Sequence, residues 1–296
     1  MDHAEARFEA EPTSRARAFY QLTKPGITGY VMITAGASAI VASRGALSVD
    51  LALHTMVATG LATAGALSLN QFVEREADAI MHRTRTRPLP TGRVSPMEAL
   101  GFGSMLLMGG LLYLTLALGS LPALLTAASG LMYLGVYTPL KSRSYVATLA
   151  GAVPGALPML IGWTAVTGTI DIGGLALFAI GYLWQLPHVL GLAWMLREDY
   201  ARVGFHLIPP GGARSIGLQM VASTVLLIPF SLAPAALGFT GLPYVVGATL
   251  LGLGFAATAT FAALDLTDEG ARRVFLASLL YHPLLLGLMV FDTLRL

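Results

Sequence analysis

The chain contains no cysteine, which excludes disulfides, thiolate metal sites and CxxCH haem attachment, and leaves its redox compartment open. Charge is almost as scarce. Asp, Glu, Lys and Arg make up 11% of the 296 residues, against roughly 25% in a soluble domain. Nothing resembles a nucleic-acid surface, a low-complexity tract or a long linker. What remains is apolar: 55% hydrophobic residues and a mean hydropathy of +0.70. That composition belongs to an integral membrane protein whose partner is the lipid bilayer, and it makes the placement of each charge more informative than the net +2.

Apolar runs long enough to cross a bilayer as helices lie near 25–43, 50–73, 98–118, 121–139, 146–167, 173–195, 215–237, 242–264 and 274–293. They predict an all-α, polytopic fold with nine transmembrane helices. Residues 1–24 mix acids with Arg7, Arg15 and Arg17, unlike a signal or transit peptide. They read as a polar cytoplasmic tail ahead of one membrane domain, 25–296. With the N-terminus cytoplasmic, every Lys and Arg except Arg44 and Arg295 falls in the tail or in a loop on the same side. This meets the positive-inside rule and puts the C-terminus on the outer face. The fifth run carries Pro154 and Pro158, so it is expected to be kinked or broken and to line a cavity that satisfies the freed carbonyls. Its Gly151 and Gly155 form a GxxxG spacing, a weak sign of close helix packing.

The polar residues gather at one mouth. In LNQFVEREADAIMHRTRTRPLPTGRVSP, a helix continued from the second span places Asn70, Glu74 and Asp78 on one face at i, i+4 and i+8. Hard oxygen donors of this kind suit Mg²⁺ with a bound diphosphate. Arg83, Arg85, Arg87 and Arg93 follow, with planar, permanent charges that grip phosphate oxygens. The alternative is a solvated positive loop. In YTPLKSRS, Tyr137 ends a helix and Lys141 and Arg143 follow it; Lys141 is the better anion ligand, whereas Arg143 equally suits a membrane-flanking cation. Gln185 and His188 lie in an apolar helix around Pro187 and are expected to face a cavity, or a haem, rather than lipid. A core hydrogen bond is the plainer role for such a histidine. Asp199 lies about three turns further on and reads either as a second-cation ligand or as a capping aspartate. Asp268 and Glu269 are expected to cap the last helix.

Asn70, Glu74, Asp78, Met81, Arg83, Thr84, Arg87, Pro88 and Leu89 together resemble the N-x-x-x-D-x-x-x-D-x-x-M-x-R-T-x-x-R-P-L signature of the protoheme IX farnesyltransferases (haem O synthases), a branch of the intramembrane aromatic prenyltransferases. The resemblance continues through YQLTKPGITGYVMITAGA, YTPLKSRS, GALPMLIGWTAVTG, LWQLPHVLGLA, REDY and ARRVF. It implies nine helices around a central cavity open to the cytoplasmic side, in a bacterial inner membrane. It also implies Mg²⁺-dependent transfer of farnesyl from farnesyl diphosphate to a vinyl group of haem B, with water addition giving haem O for terminal oxidases. In that scheme Asn70, Glu74 and Asp78 hold Mg²⁺, with Asp199 a further ligand. Arg83, Arg87 and Lys141 engage diphosphate; Arg143, Tyr137, Gln185 and His188 line the substrate site; and a haem A synthase or oxidase assembly factor takes the product. Glu74 departs from the usual aspartate. The acceptor-side D-x-x-x-D of quinone-precursor enzymes is missing, since Met195 and Val203 flank Asp199 at four residues. A quinone or chlorophyll-precursor prenyltransferase and a non-catalytic haem carrier are the competing functions.

Overall fold

The structure is a computed structural model that describes residues 14–46 and 48–296; residues 1–13 of the expected polar tail lie outside the described residues. The rest of that tail is not featureless. Helix α1 (Arg15–Leu22), capped by Ser14, buries Ala18 and Leu22 against the neighbouring Val94 and Ala99. Its helical stripe is too short to register as an apolar run. Then follow α2 (Pro25–Ala42), α3 (Val49–Val73), α4 (Arg75–Ile80), α5 (Pro96–Leu118), α6 (Ser120–Leu131), a π-helical turn (Met132–Tyr137) and α7 (Thr138–Leu140). The second half comprises α8 (Val146–Thr167), α9 (Ile172–Met195), α10 (Arg197–Arg202), α11 (Gly212–Ala236), α12 (Leu242–Leu264) and α13 (Asp268–Thr293). Among the described residues nine helices are long and apolar enough to cross a membrane, with α6, the π turn and α7 forming a single span. All nine expected spans are present.

Apart from shifts of one to three residues at helix ends, two features differ from expectation. α13 starts at residue 268 rather than 274 because Thr267, not Asp268 or Glu269, is the cap: its side chain accepts from Gly270 N at 3.1 Å. The acids occupy the first turn, where Asp268 pairs with Arg197. The proline-bearing helix α8 is not broken, and most of it is buried. Pro158 has no N–H for the carbonyl of Pro154, and the Ser129 hydroxyl donates to that oxygen at 3.1 Å.

Close packing sets where α3 and α8 stand. A Cβ on Gly65 would lie 2.3 Å from the backbone N of Leu107, and one on Gly110 would lie 2.4 Å from that of Ala62, so α3 and α5 meet backbone to backbone. Gly151 and Gly155 do something else. They leave room for the Tyr137 ring and the Gln185 side chain, so the GxxxG holds side chains rather than a partner helix.

Candidate active site

One cavity of about 350 Å³ is lined by α2, α3, α8, α9 and the π turn. Its polar end is where α3 stops. Glu74 has φ −91° and ψ 9°, so the helix bends there instead of running on into α4. The ladder survives the bend because Glu74 N still donates to the Asn70 carbonyl (2.9 Å) and Asp78 N to the Glu74 carbonyl (2.8 Å). Asn70, Glu74 and Asp78 therefore share the cavity wall, at 1%, 8% and 0% exposure.

Buried carboxylates require partners, and the opposing cations supply them. Arg87 Nη1 donates to both Asp78 oxygens at 2.8 and 2.7 Å. Lys141 Nζ donates to Glu74 Oε1 at 2.6 Å, while Asn70 donates to Thr138 Oγ1 and accepts from Lys24 Nζ, both at 3.2 Å. Burial works against the Lys141 charge, but Tyr137 and Glu74 outweigh it and hold the ammonium above the ordinary lysine range. Lys24 has the opposite balance: burial, then the Arg87 and Lys141 charges, push it down to about 7. It is the site residue that sequence reasoning missed. The available signal was a lysine beside Pro25 at the mouth of the first span, and its left-handed backbone (φ 45°) marks a conformation retained against local strain.

Arg83 also lies on the cavity wall and is exposed at the mouth. Its turn is braced from the other half of the molecule. Asp199 accepts from the backbone N–H of His82 at 3.2 Å and of Arg83 at 3.1 Å. Burial raises the Asp199 pKa, but these two donors win and set it below the usual carboxylate range. The carboxylate is not on the cavity wall, so the capping alternative describes Asp199 and the geometry does not bring it to the Asn70 ladder. Arg93 is likewise a brace, bonded to Gln21 and to the Thr86 carbonyl. Arg143 is exposed in the turn after α7 and off the wall, as suits a membrane-flanking cation.

Tyr137 stacks on Tyr133 at 5.6 Å and carries Lys141 Nζ 4.5 Å from its ring centre. Away from the charges the wall is mostly apolar, with Val31, Leu67, Leu107, Ile161 and Leu192, interrupted by small hydroxyls such as Thr59, Thr126 and Ser129 and by the larger polar side chains of Gln185 and His188. His188 Nδ1 meets Ser278 Oγ at 2.9 Å, and its ring is held between Trp184 and Phe275. The donor set is all oxygen, and no group of three His, Cys, Asp or Glu gathers to hold a metal among the described residues. The Asn70, Glu74 and Asp78 side chains suit a hard cation that shares its oxygens with a substrate anion.

Nine membrane-length helices among the described residues, with acids, cations and a mostly apolar chamber in one cavity, are the architecture of an intramembrane enzyme. The chain belongs to the UbiA prenyltransferase family, whose model matches residues 31–280. It is 42% identical to the protoheme IX farnesyltransferase of Solibacter usitatus over 93% of this chain and 98% of that one. The fold matches solved structures of low identity. A digeranylgeranylglyceryl phosphate synthase aligns with TM-score 0.80 at 17% identity over 96% of this chain and all of the other. A UbiA homolog from Archaeoglobus fulgidus bound to GPP and Mg²⁺ aligns with TM-score 0.63 at 13% identity over 94% of this chain and 100% of that one. The chain is thus a prenyltransferase in class.

Proposed function

We propose that this enzyme transfers the farnesyl group of farnesyl diphosphate to a vinyl group of haem B, giving haem O after addition of water. The observation that carries the reading is the two-ended cavity, with an oxygen ladder and four cations at one end and a mostly apolar chamber beyond, which Gln185 and His188 also line. The names of the similar curated proteins support it.

Asn70, Glu74 and Asp78 would hold Mg²⁺. When bound, the metal neutralises charge on the diphosphate leaving group. Lys24, Arg83, Arg87 and Lys141 bind the diphosphate oxygens and meet the negative charge that grows as the allylic C–O bond breaks. The apolar wall shields the farnesyl cation from water until the vinyl carbon attacks. Gln185 and His188 face the acceptor. The cation distribution supports a site opening to the cytoplasm of a bacterial inner membrane, with a haem-modifying enzyme or oxidase assembly factor taking the product.

The test is mass spectrometry of haem after incubation of the purified protein with Mg²⁺, farnesyl diphosphate and haem B. Hydroxyethylfarnesyl haem is expected. Alkylation of 4-hydroxybenzoate in place of haem would transfer the reading to a quinone-precursor enzyme, and haem binding without either product would leave a carrier.

A further inference from the structure

His188 is set up as more than a core histidine. Ser278 Oγ donates its only proton to the Phe275 carbonyl at 2.5 Å, so at its 2.9 Å contact with His188 it must accept. Nδ1 therefore carries the ring proton and Nε2 holds a free lone pair. Among the described residues no protein group bonds Nε2, and it is not sealed, unlike the buried, unpartnered Nε2 of His282. The ring cannot turn away easily, because Trp184 stacks on it at 5.3 Å and Phe275 at 4.8 Å. The Ser278 carbonyl is itself held by Trp184 Nε1 at 2.7 Å. Gln185, three residues earlier on the same helix, lines the same cavity and fits the space left by the missing side chain of Gly155.

An imidazole lone pair and a primary amide side by side on an apolar wall suit one water molecule. We propose that Gln185 holds, and His188 Nε2 deprotonates, the water that ends the reaction; this rests on the haem-farnesylating function above. The bond from farnesyl C1 to the terminal vinyl carbon forms as diphosphate leaves, and positive charge appears on the vinyl carbon next to the porphyrin. Water oxygen bonds to that carbon and its proton passes to Nε2, so atoms and charge balance. Without a base at this place, the same cation loses a proton from the adjacent methylene and ends as an alkene.

The two fates differ by one water in mass. In reactions of the detergent-solubilised protein with Mg²⁺, farnesyl diphosphate and haem B, the ratio of hydroxylated to dehydrated farnesyl haem reads the step, whatever the overall rate. His188→Ala and His188→Gln are expected to lower that ratio by about 100-fold, the lower end of what a positioned base contributes. Gln185→Leu lowers it less. Ser278→Ala, which leaves Nδ1–H without an acceptor, lowers it partly, and Ser278→Thr restores it. A wild-type ratio in both His188 variants overturns the proposal and leaves the haem-farnesylating reading intact, as does a changed haem absorption spectrum with an unchanged ratio, which would make His188 an iron ligand. Loss of diphosphate release in both variants overturns it too, by placing His188 in the first step. Absence of farnesylated haem from the wild-type reaction overturns both.

Discussion

The corner where α3 turns into α4 and the corner where α9 turns into α10 are built alike. Each long helix ends at a residue with nearly the same backbone, Glu74 (φ −91°, ψ 9°) and Leu196 (φ −103°, ψ 12°), and each continues as a six-residue helix beginning Arg-Glu. The hydrogen bonds across the bend also correspond: Glu74 to Asn70 and Asp78 to Glu74 in one, Leu196 to Leu192 and Tyr200 to Leu196 in the other. Position by position, Asn70, Glu74 and Asp78 correspond to Leu192, Leu196 and Tyr200. The same backbone device thus carries amide and carboxylate side chains in one corner and apolar or aromatic ones in the other. The acid of the second corner, Asp199, is one residue out of step and reaches back to hold the turn that carries Arg83. One corner is built to hold charge, and the other steadies it.

The strongest way to test this division is to remove its charged member. Asp78→Ala should lower kcat by about 10²–10³-fold, the scale of losing one group that stabilises transition-state charge, whereas Tyr200→Phe at the matching position should stay within tenfold; steady-state kinetics compares them. Next comes the pairing across the cavity. Lys141→Met leaves Glu74 buried and alone, and should cost about 3–5 kcal/mol of stability, read by thermal unfolding in detergent; adding Glu74→Gln should return much of it. Asp199→Asn should raise the KM for farnesyl diphosphate at least about tenfold, the lower end of the roughly 1.5–3 kcal/mol that a hydrogen bond to a charged group is worth, with the Mg²⁺ requirement unchanged. A raised Mg²⁺ requirement would instead make the second corner a metal site.

A smaller effect concerns Lys24. Its pKa falls from 10.5 unfolded to about 7 folded, so between those values the unfolded chain binds more protons and stability of the substrate-free protein rises with pH. Diphosphate favours the charged lysine. Binding measured by calorimetry at pH 8 in buffers of different ionisation enthalpy should therefore reveal proton uptake, and Lys24→Arg should abolish it. Smallest of all, Arg143→Ala should change farnesyl transfer by less than about twofold, since it is exposed and off the wall.

Much of the fold was legible because a span must satisfy its backbone internally and so appears as a long apolar run. The misses have local causes. The first turn of α13, DEGARR, is too charged to count as apolar, and α1 too short to count at all. The prolines of α8 predict a kink or break where it lines the cavity; it does line the cavity, and it runs unbroken because Ser129, on a different helix, meets the freed carbonyl, which the sequence does not reveal. The same limit governs the site. Asn70, Glu74 and Asp78 could be read as a set since one helical period relates them, and that relation holds through the bend. Which cation meets which member of the ladder is decided by tertiary packing: Arg87, in the loop after α4, to Asp78, Lys141 to Glu74 across 67 residues, and Lys24 to Asn70 across 46. No periodicity carries such pairings.

The π-helical turn at Met132–Tyr137 acts as a phase adjustment in the wall of the cavity. Ahead of it Ser129 supports the proline helix, and after it Thr138 meets Asn70 and Lys141 meets Glu74. A regular α-helix winds about 100° per residue and the π turn winds less, so the same residues wound regularly, with none deleted, would rotate everything downstream by about that angle relative to what lies before. Ser129 would keep its carbonyl while Thr138 and Lys141 turned away from the ladder. A single irregular turn is what lets one membrane span serve two neighbours at once.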